Sequence, residues 1–158
     1  GKDALILAEV VQDILVGRQA QCAAEHFSGA FDTVTWVPVS PRRLRQRGYD
    51  QARLLAESAC RLWDTTPVPL LCKTVHNPAQ SGLRESAARR ANVLGVYAPA
   101  SPEQTAGKRI LLVDDICTTG ATLMECARVL REAGAEDVIC AAVALTPLEK
   151  GTGGPKNA

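Results

Sequence analysis

Aromatic residues make up only 4% of this 158-residue sequence, and there is a single Met. A buried core must therefore be assembled from Leu, Val, Ile and Ala. No apolar run is long enough to span a bilayer, and the first residues lack the pattern of a secretory leader. Six cysteines are present, Cys22, Cys60, Cys72, Cys117, Cys126 and Cys140, but no CxxC pair. Only His26 and His76 could join them, at no ligand spacing, so the sequence predicts reduced thiols in a cytoplasmic protein and no zinc site. Net charge is only +1, which leaves no global nucleic-acid signature.

What is present is ordinary for a globular chain: 46% hydrophobic and 22% charged residues, enough for one domain with a sizeable core. We expect a single domain over 1–148 and a disordered tail over 149–158, rich in Gly. Residues 3–16 read as an amphipathic helix, with Asp3, Glu9, Gln12 and Asp13 interrupting the apolar positions. Thr33 to Val37 is a β-branched strand ended by Pro38. Residues 39–48 read as a basic loop punctuated by Pro41 and Gly48. A helix is expected from Tyr49 to about Trp63, with Ala52, Leu55, Ala56, Ala59 and Leu62 on one face.

Val68 to Val75 contains a second strand. Residues 76–92 lose all periodicity, and a connection that long is commonly a functional loop. Val93 to Tyr97 reads as a short strand and Pro99–Gly107 as a turn region. Residues 109–113 form a strongly apolar strand. Thr119 to Ala133 is a helix ended by Gly134, and Asp137 to Thr146 a last strand. Strands alternating with helices predict an α/β fold with a mostly parallel sheet covered on both faces. Ligands of such sheets sit at the carboxyl ends of the strands.

Charge is unevenly placed. Residues 40–53 carry +4 and residues 73–90 carry +3, so the remainder sums to −6. Two basic segments on an otherwise acidic chain suggest an anionic ligand between them.

The run from Ile110 to Thr122 carries the chemistry. An apolar strand ends in Asp114 and Asp115, a small-residue loop follows, and a helix opens. Thr118, Thr119, Gly120, Ala121 and Thr122 can offer amides and hydroxyls to a phosphate, reinforced by the helix dipole. The two acids suit vicinal hydroxyls of a sugar or a hydrated Mg²⁺. A plain capped helix, with Thr118 or Thr119 as its N-cap, would not require two acids at a buried strand end. The GxxxxGK[ST] loop is missing, and a single glycine excludes the GxGxxG dinucleotide fingerprint, hence a nicotinamide-dependent oxidoreductase.

This run resembles the phosphoribosyl pyrophosphate (PRPP) motif of type I phosphoribosyltransferases. Val37-Pro38-Val39-Ser40 with Arg47-Gly48-Tyr49-Asp50-Gln51-Ala52 resembles the ComF family among them. Gln80, Leu83, Arg89 and Asn92 sit where that family has Q-x-x-L and R-x-x-N. The resemblance implies the type I phosphoribosyltransferase fold with a flexible hood loop over 76–92. It implies that Asp114 and Asp115 hold the ribose hydroxyls and help place Mg²⁺ brought by PRPP. It also implies that residues 118–122 hold the 5-phosphate, that Val39, Ser40, Pro41 and Arg42 form the pyrophosphate loop, and that Arg47, Gln80 and Arg89 belong to the basic and hood loops. The implied activity is transfer of a phosphoribosyl group to an unidentified nitrogen acceptor with release of pyrophosphate. The alternative is a non-catalytic ComF-type module serving DNA uptake or nucleotide sensing. Type I relatives often dimerise, so a homodimer is a further implication.

Three positions depart from the family's pattern, and the changes at Asp50 and Lys73 are small ones to a basic pocket. Thr118 stands where purine-salvage relatives carry an aspartate base, and a hydroxyl cannot do that job at neutral pH. Asp50 replaces the family's usual asparagine, and Lys73 a frequent arginine. For Arg42 to Arg47 three readings stay open: a solvated basic surface, capture of pyrophosphate, or single-stranded DNA binding, for which only Tyr49 offers a nearby stacking ring.

Overall fold

The apolar run before the acid pair becomes the central strand of a parallel sheet. In the computed structural model, which describes residues 29–74 and 93–145, strand β4 (Arg109–Cys117) lies between β1 (Thr33–Trp36) and β5 (Asp137–Leu145). Both neighbours run parallel to it, with Trp36 opposite Val113 and Arg109 opposite Asp137. A strand hydrogen-bonded on both sides and covered on both faces has to be apolar throughout, which is why residues 110–113 do not alternate with polar ones.

The two faces use alternate residues of β4. Leu111 and Val113 pack with Val34 and Trp36 against α2 (Gln51–Cys60), through Ala52, Ala56 and Cys60. These small side chains let the helix backbone come close to the sheet. Ile110 and Leu112 face α4 (Ala121–Glu132), through Leu123, Cys126, Ala127 and Leu130. Leu112 is fully buried. Leu112→Ala is expected to cost about 3 kcal/mol, the transfer of three carbons plus the cavity left behind. A urea midpoint that falls at unchanged slope is the check.

A separate antiparallel ribbon, β2 (Leu71–Lys73) with β3 (Tyr97–Pro99), extends the α4 side and sets Lys73 opposite Tyr97. Residues 68–70 tie it to the sheet. Val68 N donates to Val34 O at 2.8 Å, and Leu70 N donates to the buried Thr35 Oγ1 at 3.2 Å.

Several element boundaries differ from expectation. The stretch read as a basic loop is a helix, α1 (Pro41–Arg47). Ser40 caps it by accepting from Arg43 N at 3.3 Å, and Pro41 takes a position that needs no donor. Gly48 closes it at φ +78°, donating to Leu44 O. The Pro and Gly that resemble loop punctuation are its two caps, and arginine favours helix between them. The expected strand at Val93–Tyr97 begins only at Tyr97, because Gly95 at φ +75° turns the chain first. The expected turn after Pro99 holds a single helical turn, α3 (Pro102–Thr105). Helix α2 starts at Gln51 and ends at Cys60, followed by a 3₁₀ turn to Trp63. Strand β4 continues four residues past Val113, so Cys117 ends a strand and is not a loop residue. The expectations for residues 3–28, for the hood loop with Gln80 and Arg89, and for the tail lie outside the described residues.

Among the described residues no helix is long and apolar enough to cross a membrane, and Cys60, Cys72, Cys117, Cys126 and Cys140 are free thiols.

Candidate functional site

Strands β1 and β4 end at the same edge of the sheet. Val37 N donates to Val113 O at 2.9 Å, so the turn Val37–Ser40 starts directly beside Asp114 and Asp115. Asp114 is 8% exposed and Asp115 half-buried. Each acid is oriented by the next amide: Asp115 N donates to Asp114 Oδ1 at 2.8 Å, and Ile116 N to Asp115 Oδ1 at 2.9 Å. Burial pushes the Asp114 carboxyl up to about 7, and the neighbouring Asp115 and Asp50 push the same way. In the ligand-free chain this acid therefore shares its site with a proton near neutrality. A group that brings hydroxyl donors or cationic charge would favour its ionised form.

Thr118, Thr119 and Gly120 link β4 to α4. Gly120 takes φ +78°, a left-handed conformation that a side chain would strain. Space is not the constraint there, since an added Cβ would only reach ordinary contact with Cys117 Sγ at 3.9 Å. Gly120 is also the N-cap of α4, the position that a plain capped helix would have given to Thr118 or Thr119. The Thr119 hydroxyl still serves the turn, accepting from Ala121 N at 3.3 Å. Helix geometry directs the N–H groups of the first turn of α4, at Ala121 and Thr122, toward this loop.

The cations come from two elements distant in sequence. Arg42, Arg43, Arg45 and Arg47 are all exposed on α1. Lys73 of β2 is half-buried, with Nζ 5.6 Å from the Tyr97 ring centroid. Burial holds its ammonium below the ordinary lysine range, the Arg43 guanidinium adds to that, and Asp114 opposes it. Arg43, Lys73 and Asp114 are thus near enough to feel one another. Of the second basic segment only Lys73 lies among the described residues.

Of the expected pyrophosphate loop, Val39 is half-buried, Ser40 is buried as the α1 cap, and Pro41 and Arg42 are the exposed first residues of that helix. Sequence reasoning passed over Asp50 as a participant. It is buried, and its carboxylate accepts from Trp36 Nε1 at 3.2 Å and from Val39 N at 3.4 Å. The available signal was its place directly before the α2 helix pattern, where Asp is a preferred cap.

A groove of about 780 Å³ runs along α4 past Leu94, Met124, Arg128 and Arg131 and reaches Cys140 of β5. It meets the phosphate-type loop at Thr119 and Ala121, and neither acid is among its described lining residues. The buried Glu125 is held beside it, accepting from Arg128 at 2.6 Å and from Gly95 N at 3.1 Å.

Comparison with known proteins agrees with this architecture. The family profile of the phosphoribosyl transferase domain matches residues 53–155. Competence protein F of Haemophilus influenzae is 36% identical over 104 residues, 65% of this chain and 45% of that protein. Competence protein ComFC of Streptococcus pneumoniae is likewise 36% identical over 104 residues, 65% of this chain and 43% of the relative. The DNA utilization protein YhgH of Escherichia coli K12 is 31% identical over 111 residues, 68% of this chain and 46% of the relative. The chain thus spans less than half the length of these relatives. Among solved structures, the glutamine PRPP amidotransferase from Bacillus subtilis, complexed with ADP and GMP, superposes with a TM-score of 0.52 at 21% identity, over 85% of this chain and 26% of that one. That likeness speaks for the fold. Sheet order, the strand–acid–acid–loop–helix unit and these relatives converge: the chain belongs to the phosphoribosyl transferase domain family, among its ComF-type members with the type I phosphoribosyltransferase fold.

Proposed function

We propose that this chain binds PRPP together with Mg²⁺ and transfers its phosphoribosyl group to a nitrogen nucleophile. The observation that carries the reading is the acid pair near the end of β4, Asp114 buried and Asp115 half-buried, followed directly by the Gly120-capped start of α4 and with the charge of Lys73 acting on Asp114's surroundings. In this reading Asp114 and Asp115 accept hydrogen bonds from the two ribose hydroxyls. Residues 118–122 hold the 5-phosphate through backbone amides and hydroxyls. Val39, Ser40, Pro41 and Arg42, with Arg43 and Lys73 nearby, hold the pyrophosphate.

The donor set fits magnesium delivered by the ligand. Among the described residues no group of three or more His, Cys, Asp or Glu is arranged to hold an ion, while two adjacent carboxylates suit an ion ligated mainly by phosphates and water. Asp114 and Asp115 are the residues that would face it. When bound, Mg²⁺ neutralises charge on the phosphates and so assists departure of pyrophosphate.

The chemistry is a substitution at the anomeric carbon. The C–O bond to pyrophosphate breaks, the C–N bond forms, and the proton of the nucleophile is taken by pyrophosphate or water. The protein contributes by orientation and by charge stabilisation at the leaving group. Thr118 supplies no base, so the nucleophile must be competent without one from that position. Pyrophosphate release, measured across a panel of amines and nucleobases with PRPP and Mg²⁺, tests the reaction. One acceptor that raises release about 100-fold above hydrolysis supports it. A flat panel favours a second reading, a binding module without catalysis. The four exposed arginines of α1 and the names of the competence and DNA utilization relatives speak for that reading. A DNA affinity that falls steeply with salt and with removal of Arg43 and Arg45 is its signature.

A further inference from the structure

Asp50 belongs to neither phosphate-facing loop, yet N–H groups from three places converge on it. Oδ2 accepts from the Trp36 indole at the end of β1 and from the Val39 amide in the turn that follows. Oδ1 accepts from the Arg53 amide in the first turn of α2 at 3.4 Å. The Arg53 guanidinium also stands over the Trp36 ring, 5.5 Å from its centroid. A helix cap needs only the contact to Arg53. Reaching back to Trp36 and Val39 ties the turn after β1 to the start of α2.

That turn has few other handles. Pro38 and Pro41 carry no N–H, so within residues 38–41 only Val39 and Ser40 can donate from the backbone. An amide bonded inward to Asp50 decides which way the remaining groups of the turn face.

We propose that Asp50 is a positioning residue for the pyrophosphate end of the ligand, acting through Val39. This rests on the reading of Val39–Arg42 as the pyrophosphate loop. The described hydrogen bonds of Asp50 reach none of residues 114–122; its charge does act on Asp114, but Asp50→Ala and Asp50→Asn remove that charge alike, so the difference between them reports the anchored turn. Calorimetric titration of the whole chain with two probes, magnesium pyrophosphate and ribose 5-phosphate, separates the ends.

Asp50→Ala weakens pyrophosphate roughly tenfold and leaves ribose 5-phosphate within about twofold, the loss expected when one charge-assisted anchor is removed. Asp50→Asn, which keeps an acceptor oxygen, recovers most of the affinity. Asp50→Ser keeps a capping oxygen for α2 but is too short for Trp36 and Val39, so it behaves like Asp50→Ala. It also replaces that variant if the alanine chain fails to fold. Equal loss of both probes, no loss of pyrophosphate affinity, or full rescue by serine overturns the proposal and leaves Asp50 as a helix cap. Tighter pyrophosphate binding in both the Ala and Asn variants would also overturn it, since only charge would then matter. A wild-type chain that binds neither probe removes the functional reading and this inference together.

Discussion

Saturating Mg²⁺–PRPP is expected to raise the Tm of the chain by about 5–10 °C, and replacing Asp114 and Asp115 together with Asn to abolish the rise. A ligand that binds only the native state stabilises it by about 2.7 kcal/mol at a hundredfold excess over Kd. For a domain near 150 residues, each kcal/mol moves the midpoint by roughly 2–4 °C. The acids are the natural targets because they are oriented by neighbouring amides, Asp115 N to Asp114 Oδ1 and Ile116 N to Asp115 Oδ1, and among the described residues no salt bridge consumes their charge. Asn retains shape and one acceptor but loses the charge that suits ribose hydroxyls and a ligand-borne Mg²⁺. Asp115→Asn alone should already remove most of the shift. An undiminished shift in the double variant would place the sugar-phosphate cup elsewhere. The same scan with Mg²⁺ omitted separates the contribution of the ion.

The second large effect has the opposite sign: without ligand, Asp114→Asn should stabilise the chain above pH 7. The folded-state value near 7 lies above the ordinary carboxylate value of 3.8. Between about pH 4 and 7 the native state therefore holds a proton that the unfolded chain has released. Stability falls as pH rises through that window, and the full cost of a buried carboxylate is felt above it. A shift of this size corresponds to something on the order of 2–4 kcal/mol. Asp32 and Glu125 are both shifted downward, by Arg109 and Arg128 respectively, so their contributions are lost only in more acidic solution. Urea unfolding of wild type and variant at pH 5 and pH 8 gives the difference that isolates Asp114. Wild type should be the less stable of the two at pH 8, and the gap should narrow at pH 5. A variant that is less stable at pH 8, or that keeps the wild-type pH slope, would contradict the assignment. Together the two outcomes describe a group that costs the empty fold stability and is needed by the ligand, as expected where function and stability compete.

Much of this was legible in the chain itself. Residues 110–113 are apolar without alternation, as a central parallel strand requires, and the acids and small residues that follow mark the loop. The Ala52, Ala56 and Ala59 spacing placed α2, and the small-residue loop before it and Gly134 after it bracketed α4. Boundaries were less legible where one residue type serves two purposes. Pro41 and Gly48 punctuate a loop and cap a helix equally well, and what selects the helix is the Ser40 bond to Arg43 N. Gly120 was readable as the residue for close approach to a phosphate. Its second role as the α4 cap depends on the angle between β4 and α4, which no local pattern encodes.

The sequence by itself determined which segments bury which faces and where the acid pair sits, because periodicity and apolar content are local properties of the chain. Only the tertiary structure decided what surrounds that pair. Parallel pairing of β1 with β4 brings the Val37–Ser40 turn to Asp114, and the β2–β3 ribbon sets Lys73 where the charges of Arg43 and Asp114 both act on it. Burial there raises the pKa of Asp114, and the reach of Asp50 back to Trp36 and Val39 organises the turn. These are long-range relations: each depends on the register of strands and the packing of helices, and neither has a signature within a few residues of the group it acts on.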